Sequence, residues 1–193
     1  MQGNFRTALA ALCALALSSG AAVVADDLPE KKRTDLGLYL TATEALQLRA
    51  VDPDAVLIDI RSRAEVAFVG IADGVDRHIP FMVVDAGWTF DAATGSYRLV
   101  PNPDFLESFE TFAWDSGLDA ETTIILMCHS GSRSARAANL LHQMGYQRVY
   151  SVIDGFEGDR GPAGRRDLNG WKNAGLPWGY RIPAGIAYRS RSF

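Results

Sequence analysis

The stretch Ile124–Ser134, IILMCHSGSRS, decides how the rest of the chain is read. Thr122 to Met127 (TTIILM) is a short run rich in β-branched and apolar residues, the pattern of a strand buried on both faces. It runs directly into Cys128 and a turn of small residues. From Ser134 the segment SARAANLLHQMG is rich in helix formers, and Gly145 ends it. In open α/β sheets, sites form at the carboxyl ends of strands, which is where Cys128 falls. The helix that follows presents unpaired N–H groups and the positive end of its dipole to the loop. Gly131 and the serines Ser130 and Ser132 let successive amides turn inward as an anion-binding nest. A cysteine at the rim of that nest is expected to be rich in thiolate, the nucleophilic form. The alternative is an inert, buried cysteine. Arg133 and the strand–loop–helix setting argue for the reactive one.

Outward from this loop the chain alternates strands with helices. Thr41-x-x-Glu44 is a capping box opening a helix through about Ala50, and Asp52-Pro53 stops it. Ala55 to Ile60 (AVLIDI) is a second buried strand, followed at once by another capping box, Ser62-x-x-Glu65. His78-Ile79-Pro80 ends a short strand. Pro103 starts a helix with Phe105, Phe109 and Phe112 on one face, ending near Gly117. Val149 to Ile153 gives one more strand. The spacing predicts an α/β domain: an open parallel sheet with helices on both faces. Residues 83–101 exceed this scheme. Trp88-Thr-Phe90 and Tyr97-Arg-Leu99 flank Asp91-Ala-Ala-Thr-Gly95 and predict a hairpin insertion. The segment from Gly155 to Asn169 reads as an extended loop, and Trp171 to Trp178 as aromatics packed around a turn. Residues 180–193, with three arginines and no acid, read as a solvated tail.

The chain of 193 residues suits one domain. Its beginning differs in composition from the rest. Met1 to Arg6 carries one positive charge, Thr7 to Leu17 is nearly all apolar, and small residues lead to Ala25 before Asp26-Asp27. That layout is expected of a secretory signal peptide over residues 1–25, followed by a linker over 26–38. The apolar run falls short of the roughly 20 residues a spanning helix needs, so no stable membrane insertion is expected after cleavage. The protein is then exported, with the periplasm as its expected place. Removing this segment takes away Arg6 and leaves the remainder one unit more acidic than the −4 of the whole chain. An acidic protein offers no basic footprint for nucleic acid. Of the two cysteines, Cys13 lies in the apolar run, so Cys128 is left without an internal disulfide partner. One cysteine and scattered histidines offer no metal-ligand set, and no cofactor is implied.

Four separate signals together resemble the rhodanese-like domains, the single-domain sulfurtransferases. Cys128-His-Ser-Gly131-Ser-Arg133-Ser134 is similar to their active-site loop. Leu57-Ile-Asp59-Ile-Arg61 with downstream Glu65 resembles their strand motif, Ile79-Pro80 their Ile-Pro, and Ala174-Gly-Leu-Pro177 their C-terminal signature. The order and spacing of these signals cover residues 40–178, and the domain is placed at 39–179. The resemblance implies a rhodanese-like fold and a sulfurtransferase in which Cys128 carries sulfur as a persulfide. The donor would be a small sulfur-containing anion such as thiosulfate, and the acceptor a thiol, cyanide or a protein thiol. The backbone of His129, Ser130, Gly131, Ser132 and Arg133 would bind the persulfide and the donor. Asp59, Arg61 and Glu65 read as a supporting ion-pair network rather than as catalysts.

Loop length separates this reading from the phosphatases of related fold, whose loop holds one residue more between Cys and Arg. The four residues His129 to Ser132 make a smaller cradle, which by resemblance fits sulfur rather than phosphate. A phosphatase or arsenate reductase therefore ranks below sulfur transfer. A carrier of persulfide, or a partner-binding module without turnover, is the other alternative. His129 stands where many members have Arg, which removes a permanent charge from the pocket. It either contacts substrate or does nothing. The aromatic hairpin and the 155–169 loop are candidates to wall the pocket.

Overall fold

The computed structural model describes residues 25–190. The expected signal peptide falls almost wholly outside them. Two short 3-10 turns, Ala25–Asp27 and Glu30–Lys32, lead into the domain. Five strands form its central sheet: β1 (Tyr39–Leu40), β2 (Val56–Asp59), β4 (Arg77–His78), β9 (Ile124–Met127) and β10 (Val149–Val152). Their order is β1-β10-β9-β2-β4, and each neighbouring pair is parallel. Parallel pairing requires crossovers, which the helices α1 (Ala42–Val51), α2 (Arg63–Val69), α3 (Phe105–Ser116) and α4 (Ser132–Gln143) supply.

Strand alternation divides the core in two. Ile124 and Leu126 of β9, with Ile58 of β2, face Phe105, Phe109 and Phe112 of α3 and Ala138 and Leu141 of α4. Ile125, Met127 and Leu57 face the other way, onto Ala42 and Ala45 of α1, Val66 of α2 and Trp171. Residues on a strand point to opposite faces in turn, so a strand covered on both sides must be apolar throughout. All four residues of β9 are fully buried.

Both predicted capping boxes are formed. Thr41 and Glu44 cap α1, and Ser62 and Glu65 cap α2, each with reciprocal side-chain and backbone bonds. Helix α4 begins at Ser132, two residues earlier than the sequence suggests. Gly131 caps it with φ 96°, a conformation that lets the chain turn sharply from loop to helix. The insertion is longer than one hairpin. Strands β5 (Met82–Val84) and β8 (Leu99–Pro101) pair antiparallel, and β6 (Phe90–Asp91) and β7 (Ser96–Tyr97) pair beyond them.

The tail is not free in solvent. Strand β11 (Trp178–Gly179) pairs antiparallel with β3 (Ile71–Ala72). Beyond it, the Ile186 carbonyl accepts from His78 N–H at 2.9 Å, and Arg77 donates to the Gly185 carbonyl at 2.8 Å. Tyr188 reaches Asp104 at 3.2 Å, while Ile182 and Ile186 pack against the core. These contacts need a folded surface, so the composition of residues 180–190 does not announce them.

Candidate functional site

Cys128 follows the last residue of β9, and α4 begins four residues later, as the open-sheet rule predicts. The loop between them is laced from outside. The carbonyl of Cys128 accepts from Phe156 N–H at 2.8 Å, and that of His129 accepts from Glu157 and Gly158 at 3.1 and 3.2 Å. With these carbonyls bound outward, the loop can turn an amide toward the sulfur. Gly131 N–H donates to Cys128 Sγ at 3.2 Å. The Ser134 hydroxyl oxygen lies 3.5 Å from Sγ; it donates to the Gly131 carbonyl at 2.9 Å and accepts from Ser151 at 2.9 Å. The expected cup of amides is thus reduced to one amide in contact with sulfur, with a hydroxyl beside it. Cys128 itself is 1% exposed, and its other neighbours belong to the apolar core.

Two close approaches hold the loop in this form. A Cβ on Gly131 would stand 2.2 Å from the Ile153 carbonyl oxygen, and one on Gly155 2.5 Å from that of Cys128. Both glycines have positive φ. The strand end after β10 and the cysteine loop therefore interlock backbone to backbone.

The charged residues singled out from the sequence fall into two groups. Asp59 and Arg61 are fully buried beneath the loop. Arg61 Nη2 donates to Asp59 Oδ2 at 2.5 Å and to the Gly70 carbonyl at 2.7 Å, and its guanidinium stacks 3.9 Å over the Phe156 ring. Arg61 Nη1 is buried without a partner. This pair braces the loops and does not reach the opening. Glu65 and Arg133 form the second group, at the rim. Arg133 donates to both Glu65 oxygens, at 2.8 and 2.5 Å. Glu65 Oε2 also accepts from Ser62 N–H at 2.9 Å and from its hydroxyl at 2.7 Å. Burial alone would raise the Glu65 carboxyl, but Arg133 and Ser62 outweigh it and hold its pKa at about 2. Burial likewise works against the Arg133 charge, and the bidentate bond to Glu65 reverses this and raises its pKa. Arg133 is thereby committed to tying α4 to α2.

His129 lies between two carboxylates. Its Nδ1 is 3.3 Å from Glu65 Oε1, and its Nε2 is 2.6 Å from Glu157 Oε2. The second contact is off the line of the ring N–H, so Nε2 forms no hydrogen bond there despite the short distance. Burial pushes the imidazole pKa down, the two glutamates push it up, and Arg166 and Arg133 push it down again; the balance is a lowered value. Glu157 was not singled out from the sequence. Its place between Gly155 and Gly158, after a sheet strand, is the signal that could have found it.

Above the loop opens a cleft of about 600 Å³. His129, Ser130, Ser132 and Arg133 form one side. Trp88 and Tyr97 of the insertion form another, with Arg160 and Arg166 from the 155–169 loop. Both insertions wall the cleft, although Phe90 does not line it. Cys128 lies below this lining. Among the described residues no group of three His, Cys, Asp or Glu is gathered to hold a metal ion.

Comparison with known proteins agrees with this architecture. The model of the rhodanese-like domain matches residues 41–160. An uncharacterized protein of Rickettsia conorii is 30% identical over 139 residues, covering 72% of this chain and 94% of that protein. A thiosulfate sulfurtransferase, GlpE of Tolumonas auensis, is 36% identical over 76 residues, which cover 37% of this chain and 63% of the enzyme. The crystal structure of Rv0390 from M. tuberculosis superposes with a TM-score of 0.56 at 29% identity, over 74% of this chain and 97% of that one. A match across more than half the chain, with the cysteine loop inside it, shows that this protein belongs to the rhodanese-like domain family.

Proposed function

We propose that the protein is a sulfurtransferase that moves sulfane sulfur from a small donor to a thiophilic acceptor through a persulfide on Cys128. The observation that carries this reading is the Gly131 amide donating to Cys128 Sγ at 3.2 Å, at the amino end of α4. An amide and a helix dipole aimed at sulfur favour negative charge on it, both as thiolate and as persulfide.

The chemistry follows in two steps. Thiolate Cys128 attacks the outer sulfur of a donor such as thiosulfate. A bond forms between the two sulfurs, the donor's S–S bond breaks, and sulfite leaves with the electron pair. The anionic persulfide remains on Cys128 beside the Gly131 amide and the Ser134 hydroxyl. An acceptor thiolate, or cyanide, then attacks the outer sulfur and releases Cys128 as thiolate. A covalent intermediate that separates donor from acceptor predicts ping-pong kinetics. Arg133 and Glu65 position the loop, since their charges are spent on each other. Donor anions are met instead by the loop backbone and the arginines of the cleft. The apolar run Thr7–Leu17 supports the further proposal that this happens outside the cytoplasm.

Intact-mass measurement after incubation with thiosulfate tests the reading. One added sulfur atom is expected, lost on adding cyanide and absent from Cys128→Ser. Loading only from a protein donor would make the protein a carrier. Turnover of p-nitrophenyl phosphate without sulfur loading would return it to the phosphatase class.

A further inference from the structure

The cleft is much larger than thiosulfate needs. About 600 Å³ lies in the range of pockets that hold organic ligands, and an inorganic anion would leave most of it wet. Besides the cysteine loop and Glu65, its walls are of two kinds. One is apolar and aromatic: Trp88 and Tyr97 meet edge to face at 5.5 Å, each more than half exposed, with Leu99 beside them. Trp88 is the one non-glycine residue with positive φ among those described, at 49°. That backbone conformation is costly for a bulky side chain and marks a strained turn in this wall.

The other wall is cationic. Arg160 and Arg166 face each other across an antiparallel β-bridge, and both line the cleft. Residues directly opposite on such a bridge project to the same side, and like charges there repel. Neither guanidinium forms an ion pair with a carboxylate among the described residues. Arg166 donates to the Gly158 carbonyl, and Arg160 forms no side-chain hydrogen bond among the described residues. Burial and the neighbouring Arg160 charge press the Arg166 pKa below its ordinary value, outweighing the opposite pull of Glu157, Asp159 and Glu65. The loop carrying them is anchored. Buried Lys32 binds both oxygens of Asp159, at 2.7 and 2.8 Å, and Asp159 N–H donates to Asn169 at 2.8 Å. Two cations held together on a fixed loop, neither in an ion pair and with Glu157, Asp159 and Glu65 acting on Arg166 only from a distance, form a receptor for an anion.

We infer that the sulfur donor of this site is an organic persulfide bearing carboxylates, its acid groups on Arg160 and Arg166 and its carbon body against Trp88 and Tyr97. The inference rests on the proposed sulfur transfer through Cys128. The Cys128 thiolate attacks the outer sulfur of the donor RS–SH. The new S–S bond forms on Cys128, the donor's S–S bond breaks, and the thiolate RS⁻ leaves with the electron pair. Charge balances, and no external oxidant or reductant enters.

Sulfur loading of Cys128, followed by intact mass in a single turnover, tests this with three donors. These are glutathione persulfide, the persulfide of glutathione diethyl ester, and thiosulfate. The acid is expected to load at concentrations at least about tenfold lower than the ester, the effect of one charge-assisted bond or more. In Arg160→Ala/Arg166→Ala this preference should vanish. The acid-against-ester comparison needs no variant, so it stands even if the double variant folds poorly. Equal loading by acid and ester, or a preference that survives the double substitution, overturns the inference and leaves persulfide chemistry intact. So does efficient loading by thiosulfate with none by either persulfide. No loading from any of the three overturns the sulfurtransferase reading, and this inference falls with it.

Discussion

At Glu65 a single carboxylate joins three parts of the site. It caps α2 through Ser62, holds Arg133 of α4, and stands 3.3 Å from His129. Its pKa of about 2 lies below the ordinary 4.5, so the folded state binds this proton less readily than the unfolded chain. The stabilisation is therefore complete above about pH 4.5 and is lost as pH falls toward 2. Its size is on the order of 3 kcal/mol. Glu65→Gln should lower the urea-unfolding free energy by about that much at pH 7, and the gap from the parent should close as pH falls through the same window. Sequence reading placed Glu65 in a structural network with Asp59 and Arg61. The kind of role was legible from the capping box. The partner was not, because the Arg133 bond joins residues far apart in the chain. Nor was the separation of Asp59 and Arg61 into a buried brace of their own.

Among elements, α4 shows what local pattern conveys and where it stops. SARAANLLHQ has the propensity of a helix, so its existence and its end were legible. Its first turn was not, because Gly131 rather than a Ser or Asp side chain makes the cap. The glycine is needed there by φ 96° and by the carbonyl of Ile153, which a Cβ would meet at 2.2 Å. Gly131→Ala should cost more than about 2 kcal/mol in unfolding free energy and should slow sulfur loading by displacing the amide from Sγ. A variant that melts like the parent and loads at the same rate would show that the backbone can yield there. The aromatic hairpin was legible as an insertion from Asp91-Ala-Ala-Thr-Gly95. The second ladder behind it, β5 with β8, is stabilised by pairing across 14 intervening residues or more, which short-range pattern does not encode.

For the whole molecule, the alternating order of apolar strands and capped helices carried the architecture, and the two core layers follow from it. The surface additions were less legible, since their contacts depend on a sheet and helices already in place. The C-terminal segment is the clearest instance. It binds the edge strand β4 through His78 and Arg77 and reaches α3's start through Tyr188. Truncation after Gly179 would expose the faces that Ile182 and Ile186 cover and strip these bonds. A loss of about 2 kcal/mol is expected, measured as a shift in the urea midpoint, with Cys128 still able to take up sulfur. Unchanged stability would mean that the segment lies on the surface without contributing to it.

Cys128 is the one cysteine among the described residues, and it is free. Peroxide attack on it would yield a sulfenic acid with no second thiol among the described residues to condense with, so no disulfide within that part of the chain could trap the first stage of damage. With Cys128 only 1% exposed, shelter beneath the loop is then the fold's own defence.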